Sequence, residues 1–178
     1  ILDVGYDGIG LTSCRNFFVN KNLVDTVGPG TSGNAYGMGF SRATGDAGNL
    51  TSQPRTSGGV VSNNIVRNVP IWEAYDTHGG ENIVFANNDG YNTKFGIMVG
   101  SSKNSTDVEA YGPKNVIVIG GTLDSSKTDG TAGYGIVFQG VLGAPSEYAT
   151  GAILGVAVKN YGDQTSTDSG AAIYVYAT

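Results

Sequence analysis

The sequence predicts an all-β solenoid, and three observations predict it. A four-residue phrase occurs six times: a Gly or Ala, an apolar residue, any residue, and a second residue that is usually apolar. Glycine supplies 29 of the 178 residues, about twice its average usage, as expected for a chain with many tight turns. No segment keeps an apolar period of 3.6 residues, so we expect almost no helix. Short strands and turns repeated in a fixed order are typical of solenoids.

The six phrases put six residues at equivalent positions: Ile9, Met38, Tyr75, Ile97, Ile136 and Ile173. The shortest interval, 22 residues, is close to one coil of a parallel β-helix, with three short strands and their turns. The longer intervals contain polar, Gly-rich segments that indicate surface loops, at 45–57, 103–113, 124–133 and 144–150. We therefore predict one domain over 1–178, a parallel β-helix of about six rungs. Because strands begin and end almost at its termini, we expect this chain to be a fragment.

Residues two apart on a strand share a face, so each phrase predicts two core positions. In the first strand of each rung these are Ile9/Leu11, Met38/Phe40, Tyr75/Thr77, Ile97/Val99, Ile136/Phe138 and Ile173/Val175. A second strand gives Phe17/Val19, Ile83/Phe85 and Val116/Val118. Three asparagines follow that strand at matching places and are predicted to stack as an amide ladder that stops at Gly121: Asn22, Asn64 and Asn88.

Composition excludes several classes of function. The net charge of -5 argues against a nucleic-acid partner, which requires clustered Lys and Arg. No stretch reaches the ~18 apolar residues of a membrane span, so membrane insertion is not expected. The single cysteine, Cys14, permits no intrachain disulfide. With no Cys-x-x-Cys, phosphate-binding loop or His-rich set, neither a cofactor nor a metal is predicted.

The Gly-Ile-x-Val and Asn-Val-x-Val phrases, with their corner asparagines, resemble the pectate-lyase-like right-handed parallel β-helix superfamily. Within it, the pattern is most similar to the central domain of bacteriophage tailspikes, and the likeness covers essentially the whole chain. The closest local match is 74–83, which is similar to the Gly-Ile-Asp-Thr-His-Gly-Gly-x-Asn-Ile rungs of phage and bacterial proteins.

This resemblance implies a homotrimer on a virion tail, outside the host cell, that binds and often cleaves capsular or O-antigen polysaccharide. The chain departs from the enzymes of the superfamily in two respects. The Asn-Thr-Asp, Asp-Asp, Gly-His-Gly and Arg-Ile-Lys motifs of its polygalacturonase-like members do not occur here. Nor does the acidic calcium cluster with a nearby Arg that pectate lyases carry.

Three residues in or directly beside the third phrase are candidates for catalysis. Asp76 and His78 share the outward face of one strand, and Gly39 on the neighbouring strand leaves a depression beside them. Asp76 is predicted to act as acid or base assisted by His78, the only histidine. Glu73 is the predicted second carboxyl, because glycoside hydrolysis generally uses two. The alternative is structural: Asp76 caps a turn and His78 fills a corner before Gly79-Gly80.

Four more residues are candidates for binding substrate. Trp72 and Tyr75 have aromatic faces suited to sugar rings, although a core or subunit-contact role is equally open for Trp72. Asp107 and Glu109 lie on an inserted loop that is expected to overhang the same face, or else are simply solvated. An outward apolar stripe at Met98, Val137 and Tyr174 is a candidate for trimer packing.

Three functions remain in competition. The first is a polysaccharide depolymerase module, with a glycoside hydrolase favoured over a lyase. The second is a module that binds the glycan without cleaving it, and the third is a structural shaft segment. The scarcity of acidic residues on the stacked strands favours the binding module and the shaft segment. The long loops favour the depolymerase and the binding module.

Overall fold

The computed structural model describes residues 1–28, 34–41, 54–102, 111–125, 133–141, 147–162 and 171–176. Two of the predicted binding residues, Asp107 and Glu109, lie outside these described residues. Within those ranges the chain forms fifteen β-strands and no α-helix, so the all-β class is confirmed. None of these residues belongs to a helix long and apolar enough to cross a membrane.

The strands are short except for two that pass through a bend. In chain order they are Leu2–Val4 (β1), Asp7–Thr12 (β2), Phe18–Asn20 (β3), Leu23–Val27 (β4), Tyr36–Ser41 (β5), Ser57–Ser62 (β6), Ile65–His78 (β7), Glu81–Ala86 (β8), Asp89–Gly100 (β9), Val116–Ile119 (β10), Thr122–Asp124 (β11), Ile136–Gln139 (β12), Gly151–Leu154 (β13), Ala157–Lys159 (β14) and Ile173–Tyr176 (β15).

All pairings between these strands are parallel, and they form three ladders. The first ladder joins β2, β5, β7, β9, β12 and β15, and the second joins β3, β6, β8, β10 and β13. The third joins β1, β4, β7, β9, β11 and β14. The chain visits the third, first and second ladders in that order repeatedly. Because β7 and β9 contribute to two ladders, the first and third ladders form one ten-stranded sheet.

The register of the first ladder confirms the alignment predicted from the phrases. Each aligned residue pairs with the next one along the ladder, in the order Ile9, Met38, Tyr75, Ile97, Ile136 and Ile173. The same register places Gly10, Gly39 and Asp76 side by side on three neighbouring strands. Since successive side chains alternate between faces, these three lie opposite the core.

The core combines side chains from all three ladders. Most of the residues predicted to point inward are buried there, among them Met38, Phe40, Tyr75, Ile83 and Phe85. Val24, Val66 and Leu123 come from the third ladder. Ile173 and Val175 are exceptions and stay exposed, because β15 has no further described strand beside it.

The predicted asparagine ladder is present between the second and third ladders. The side-chain nitrogen of Asn22 donates to Oδ1 of Asn64 at 3.0 Å, and that of Asn64 donates to Oδ1 of Asn88 at 3.0 Å. Gly121 follows at the next level, as predicted, and the side-chain nitrogen of Asn88 donates instead to the carbonyl of Val61 at 2.8 Å. These bonds satisfy polar groups at a buried corner.

The first position of the phrase requires a small residue, because backbone and side-chain atoms approach it closely. A Cβ on Gly37 would lie inside the van der Waals distance of Val66 Cγ1 and of the Ala74 carbonyl oxygen. Gly8 meets Val24 and the Gly37 carbonyl in the same way. The repeated glycine therefore lets the first ladder pack tightly against valines of the third.

Candidate active site

A groove of about 530 Å³ lies over the outer face of the first ladder, across β2, β5 and β7. Its floor is the column formed by Gly10, Gly39 and Asp76. A Cβ added to either glycine would meet no atom closer than 3.7 Å, so this space is open. The depression predicted beside Asp76 is therefore present, and Gly10 extends it by one more strand.

The two walls of the groove come from the strand ends on either side of that floor. One wall carries Tyr6, Asp7, Tyr36 and Trp72, where the chain enters the first ladder. The other wall carries Thr12, Ser41, His78, Ser101 and Ser102. The first wall is mainly aromatic and acidic, whereas the second is mainly hydroxylic.

Asp76 lies at the bottom of the groove, with only 1% of its surface exposed. The Ser41 hydroxyl donates a hydrogen bond of 3.0 Å to its Oδ2. Its Oδ1 is 3.1 Å from Nε2 of His78, an ion-pair distance without the geometry of a normal hydrogen bond. A buried carboxyl with donors on one side and open groove on the other is poised to exchange a proton with a bound molecule.

His78 is held in one orientation by the backbone. Its Nδ1 lies 2.8 Å from the carbonyl oxygen of Ser101, and because a carbonyl only accepts, Nδ1 carries the hydrogen. The backbone N–H of His78 also donates to the Ser41 hydroxyl at 3.3 Å. Nε2 is therefore the nitrogen left to face Asp76.

Glu73 lies beside Asp76 rather than in the apolar core, and it is almost completely buried. Burial raises the pKa of its carboxyl well above the usual value, and the negative charge of Asp76 raises it further. A hydrogen bond with Asp76 also raises the pKa of Glu73 and lowers that of Asp76. Glu73 therefore favours its neutral form more strongly than an exposed glutamate does.

The pKa of Asp76 is the result of opposing effects. Burial raises it, whereas the charge of His78 and the hydrogen bonds from Ser41 and Glu73 lower it; Asp7 raises it across the groove. Burial is the largest of these effects, so the pKa of Asp76 stays above its usual value.

Glu73, Asp76 and His78 each bring one ligand-type atom within 4.8 Å of the other two. Carboxylate oxygens and an imidazole nitrogen are atoms that bind divalent cations, so these are the described residues that could hold one. The same three groups also form a cluster of titratable side chains, in which burial raises the pKa of both carboxyls and the imidazole is held by its other nitrogen.

The predicted aromatic residues fall in two different environments. Trp72 lines the groove, and its ring lies edge to face with Phe95 at a centroid distance of 5.2 Å. Tyr75 is 0% exposed, and its hydroxyl contacts the carbonyls of Asn64 and Asp89 at 2.9 and 2.7 Å. The prediction that Tyr75 binds substrate is therefore wrong, since its strand turns it into the core.

Asp7 and Tyr36 are among the groove residues that escaped the sequence reasoning. Each directly precedes a phrase, as do Glu73, Phe95 and Tyr134, and the register pairs Asp7 with Tyr36 and Glu73 with Phe95. Aligning the residues before the phrases, and not only those within them, is the signal that would have found them.

Further along the same ladder the aromatic side chains stack on one another. Phe95 and Tyr134 stack at 6.2 Å, Tyr134 and Tyr174 at 4.9 Å, and Tyr174 and Tyr176 at 6.3 Å. Their faces meet each other, so they present mainly edges outward. The groove, and not this stack, is the candidate site.

No family model, curated protein or solved structure matches the chain.

Proposed function

We propose that this chain is a right-handed parallel β-helix module of about six rungs, similar to those of bacteriophage tailspikes. Its groove binds a bacterial surface polysaccharide, capsule or O-antigen, and hydrolyses it. The repeated order in which the chain visits three parallel ladders supports the architecture. The observation that carries the function is the buried carboxyl of Asp76 at the floor of an aromatic-walled groove, with the buried carboxyl of Glu73 beside it.

The walls suit a sugar polymer. Trp72 and Tyr36 offer apolar ring surface to the C–H faces of a sugar, and Ser41 and Asn34 offer polar groups to its hydroxyls. Burial raises the pKa of the Tyr36 hydroxyl, with the charges of Asp76 and Glu73 adding to the effect, so that hydroxyl stays protonated as a hydrogen-bond donor. Asp76 supplies the acid–base group, with Glu73 and His78 controlling its proton.

Hydrolysis is favoured over β-elimination by the charges of the groove. Elimination from a uronic acid proceeds through an enolate-like anion, which enzymes stabilise with Arg, Lys or a metal ion. None of the described residues that line the groove is Lys or Arg, whereas Asp7 and Asp76 are both acidic. We therefore expect an uncharged glycan as the substrate.

The test is incubation of the protein with capsular polysaccharides and lipopolysaccharides from a panel of bacteria, with reducing ends and unsaturated products measured separately. We expect reducing ends without unsaturated products. Asp76→Asn should lower the rate by at least about 100-fold, as loss of a general acid–base group does. Asp3→Asn, which changes an exposed acid on β1 outside the groove, is the matched control. Equal rates for Asp76→Asn and wild type would overturn the proposal.

A non-catalytic glycan-binding module is the second candidate, favoured by the near-complete burial of Asp76. It predicts that the same panel contains a polysaccharide that binds to the protein, measured by calorimetry, and is released intact. A shaft segment predicts neither binding nor cleavage.

We also propose a homotrimer on the virion tail, acting outside the host cell. Support comes from apolar side chains on the outer face of the first ladder. Val137 is 3% exposed there, whereas its partner on the next strand, Tyr174, leaves 39% of its surface exposed, and another subunit would cover that surface. Light scattering of the purified protein measures the mass directly, and a monomer at micromolar concentration would contradict the trimer.

A further inference from the structure

The buried side-chain atoms that have no hydrogen-bond partner all lie on one stretch of β7, among the residues that the structure describes. They are Nε1 of Trp72, Oε2 of Glu73 and Oδ1 of Asp76. Glu73 and Asp76 are each only 1% exposed. Buried polar atoms in native proteins nearly always have a partner, and a buried carboxylate oxygen without one points to a bound ion. The indole Nε1 is only a donor, so the two carboxylates are the ligands to consider.

The imidazole of His78 is aimed at the same place. Its Nδ1 donates to the carbonyl oxygen of Ser101 at 2.8 Å, so the lone pair of the neutral ring is on Nε2. Nε2 lies 3.1 Å from Oδ1 of Asp76 without the geometry of a hydrogen bond. Histidines that bind metal ions are typically held in this way, with the second ring nitrogen bonded to a carbonyl or carboxylate oxygen.

The distances suit two ligand atoms that share one cation. Two lone pairs that face each other repel, unless a cation draws both of them toward itself. Zn²⁺ binds nitrogen and oxygen ligands at about 2.0–2.2 Å, so atoms 3.1 Å apart would subtend an angle of about 95° at the metal. Glu73 supplies the third ligand, because one ligand-type atom from each of the three residues lies within 4.8 Å of the other two. Tetrahedral Zn²⁺ spaces its ligands about 3.4 Å apart, so the Glu73 side chain has to rotate slightly toward the other two.

The residues around these ligands hold them and leave an entry path. The Ser41 hydroxyl donates to Oδ2 of Asp76 at 3.0 Å, which orients the carboxylate. The His78 ring lies against Gly100 on β9, where a Cβ would be only 2.9 Å from Nδ1. Gly39 keeps the groove open beside Asp76, so a water molecule has room to be the fourth ligand. The side chain of His78 is 33% exposed, and a cation therefore reaches the site from the groove.

Charge and ligand type identify the class of cation. Two buried carboxylates are costly to ionise unless positive charge compensates them, and one dication compensates both. Ca²⁺ and Mg²⁺ take six or more ligands, nearly all of them oxygen, whereas an imidazole favours first-row transition metals. We propose that Glu73, Asp76 and His78 together bind one divalent transition-metal cation, of which Zn²⁺ is the representative.

This site goes beyond the proposed hydrolysis and does not depend on it. One consequence does rest on that proposed function. A cation bound to the Asp76 carboxylate takes the place of the proton that this group exchanges, and any proton that it displaces leaves to solvent. Zn²⁺ should therefore inhibit the proposed cleavage, which makes the groove sensitive to the available metal.

The experiment is calorimetric titration of ZnCl₂ into protein that has been treated with EDTA and dialysed, with circular dichroism to check that each variant folds. We expect one Zn²⁺ per chain and much weaker binding of Ca²⁺. His78→Gln and Asp76→Asn, which each remove a ligand, should weaken Zn²⁺ binding by more than about 100-fold. Ser41→Ala removes only an orienting bond and should weaken it by about 10-fold. Cys14→Ser, which removes the only thiol and lies outside the groove lining, is the matched control and should bind as wild type does.

Wild-type affinity in both His78→Gln and Asp76→Asn would overturn the site, and so would loss of binding in Cys14→Ser. Absence of Zn²⁺ binding by wild type at millimolar concentration would also overturn it.

The consequence for cleavage is tested separately, on a polysaccharide that wild type cleaves, with EDTA or with added Zn²⁺. We expect fewer reducing ends with Zn²⁺ than with EDTA. Faster release with Zn²⁺, or unsaturated products that form only with it, would contradict the competition between cation and proton. Absence of cleavage under both conditions would overturn the hydrolysis, whereas the calorimetry would still decide the Zn²⁺ site.

Discussion

Asn64 and Asn88 are joined twice, because both the backbone N–H and the side-chain nitrogen of Asn64 donate to the same Oδ1 of Asn88, each at 3.0 Å. Asn64 is 0% exposed and also donates to the carbonyl of Val19. Its own Oδ1 accepts the backbone N–H of Asn22 at 2.9 Å. One side chain thus satisfies polar groups on three successive levels of the fold.

Asn64→Ala is expected to lower the free energy of unfolding by about 2–4 kcal/mol, because it leaves buried donors and acceptors without partners. Asn22→Ala is the matched control at the half-buried end of the same ladder, and should cost about 1 kcal/mol. Urea denaturation followed by circular dichroism measures both. A smaller loss for Asn64→Ala than for Asn22→Ala would contradict this account.

Glu73→Gln should change how stability depends on pH. The folded-state pKa of Glu73 is raised above 4.5, so above that pH the unfolded chain releases a proton that the native state keeps. Stability therefore falls as pH rises from about 4.5 toward the folded pKa, by at most about 1.4 kcal/mol per pH unit for this one group. The glutamine variant lacks this loss and should be more stable than wild type at pH 7.

Thermal unfolding between pH 4 and 8 checks that expectation. Glu81→Gln, on β8 and away from the groove, serves as the control and should run parallel to wild type. The explanation fails if wild type and Glu73→Gln have the same slope across this range.

Gly37→Ala is expected to destabilise the protein by about 1–3 kcal/mol. Its new methyl group would overlap Val66 and the carbonyl oxygen of Ala74, and a carbonyl fixed in a parallel ladder cannot move away. Gly10→Ala is the matched control, since its methyl group would meet only Asp7 Oδ2, at 3.8 Å. Its midpoint in urea should stay within about 0.5 kcal/mol of wild type. Similar losses of stability in the two variants would show that the conformational freedom of glycine, and not packing, determines the cost of substitution at these positions.

Arg55→Lys should cost more than Arg67→Lys. Arg55 is largely buried and bonds to Glu147 at 2.6 Å, to the carbonyl of Gly79 at 3.0 Å and to that of Gly112. Lysine offers a single ammonium group and cannot reproduce this fork, so a loss of about 1–3 kcal/mol is expected. Arg67 pairs with Asp25 at a half-exposed surface, where the loss should stay below about 1 kcal/mol. Equal losses would contradict the argument from burial.

Sequence periodicity predicted the aligned phrases, the asparagine ladder and the open space beside Asp76, because each depends on strict alternation along one strand. It could not predict the side on which Glu73 lies. Ala74 and Tyr75 are consecutive and both belong to the core, so the alternation of faces breaks between them and Glu73 falls on the outer side. Alternation would have put Glu73 on the same side as Tyr75. Alternation predicts that Tyr75 points into the core, and Tyr75 is buried there. Its selection as a sugar-binding residue relied on its aromatic side chain rather than on its position in the strand.

The long strands β7 and β9 pass from the third ladder into the first without a connecting loop. Asp76 and its described neighbours therefore belong to a floor whose backbone is already ordered on both sides of the bend. A ligand that settles there loses its own conformational entropy but has little protein entropy to remove. Selectivity at such a preorganised surface depends on shape: a ligand that does not match the spacing of the strands gains nothing from induced fit.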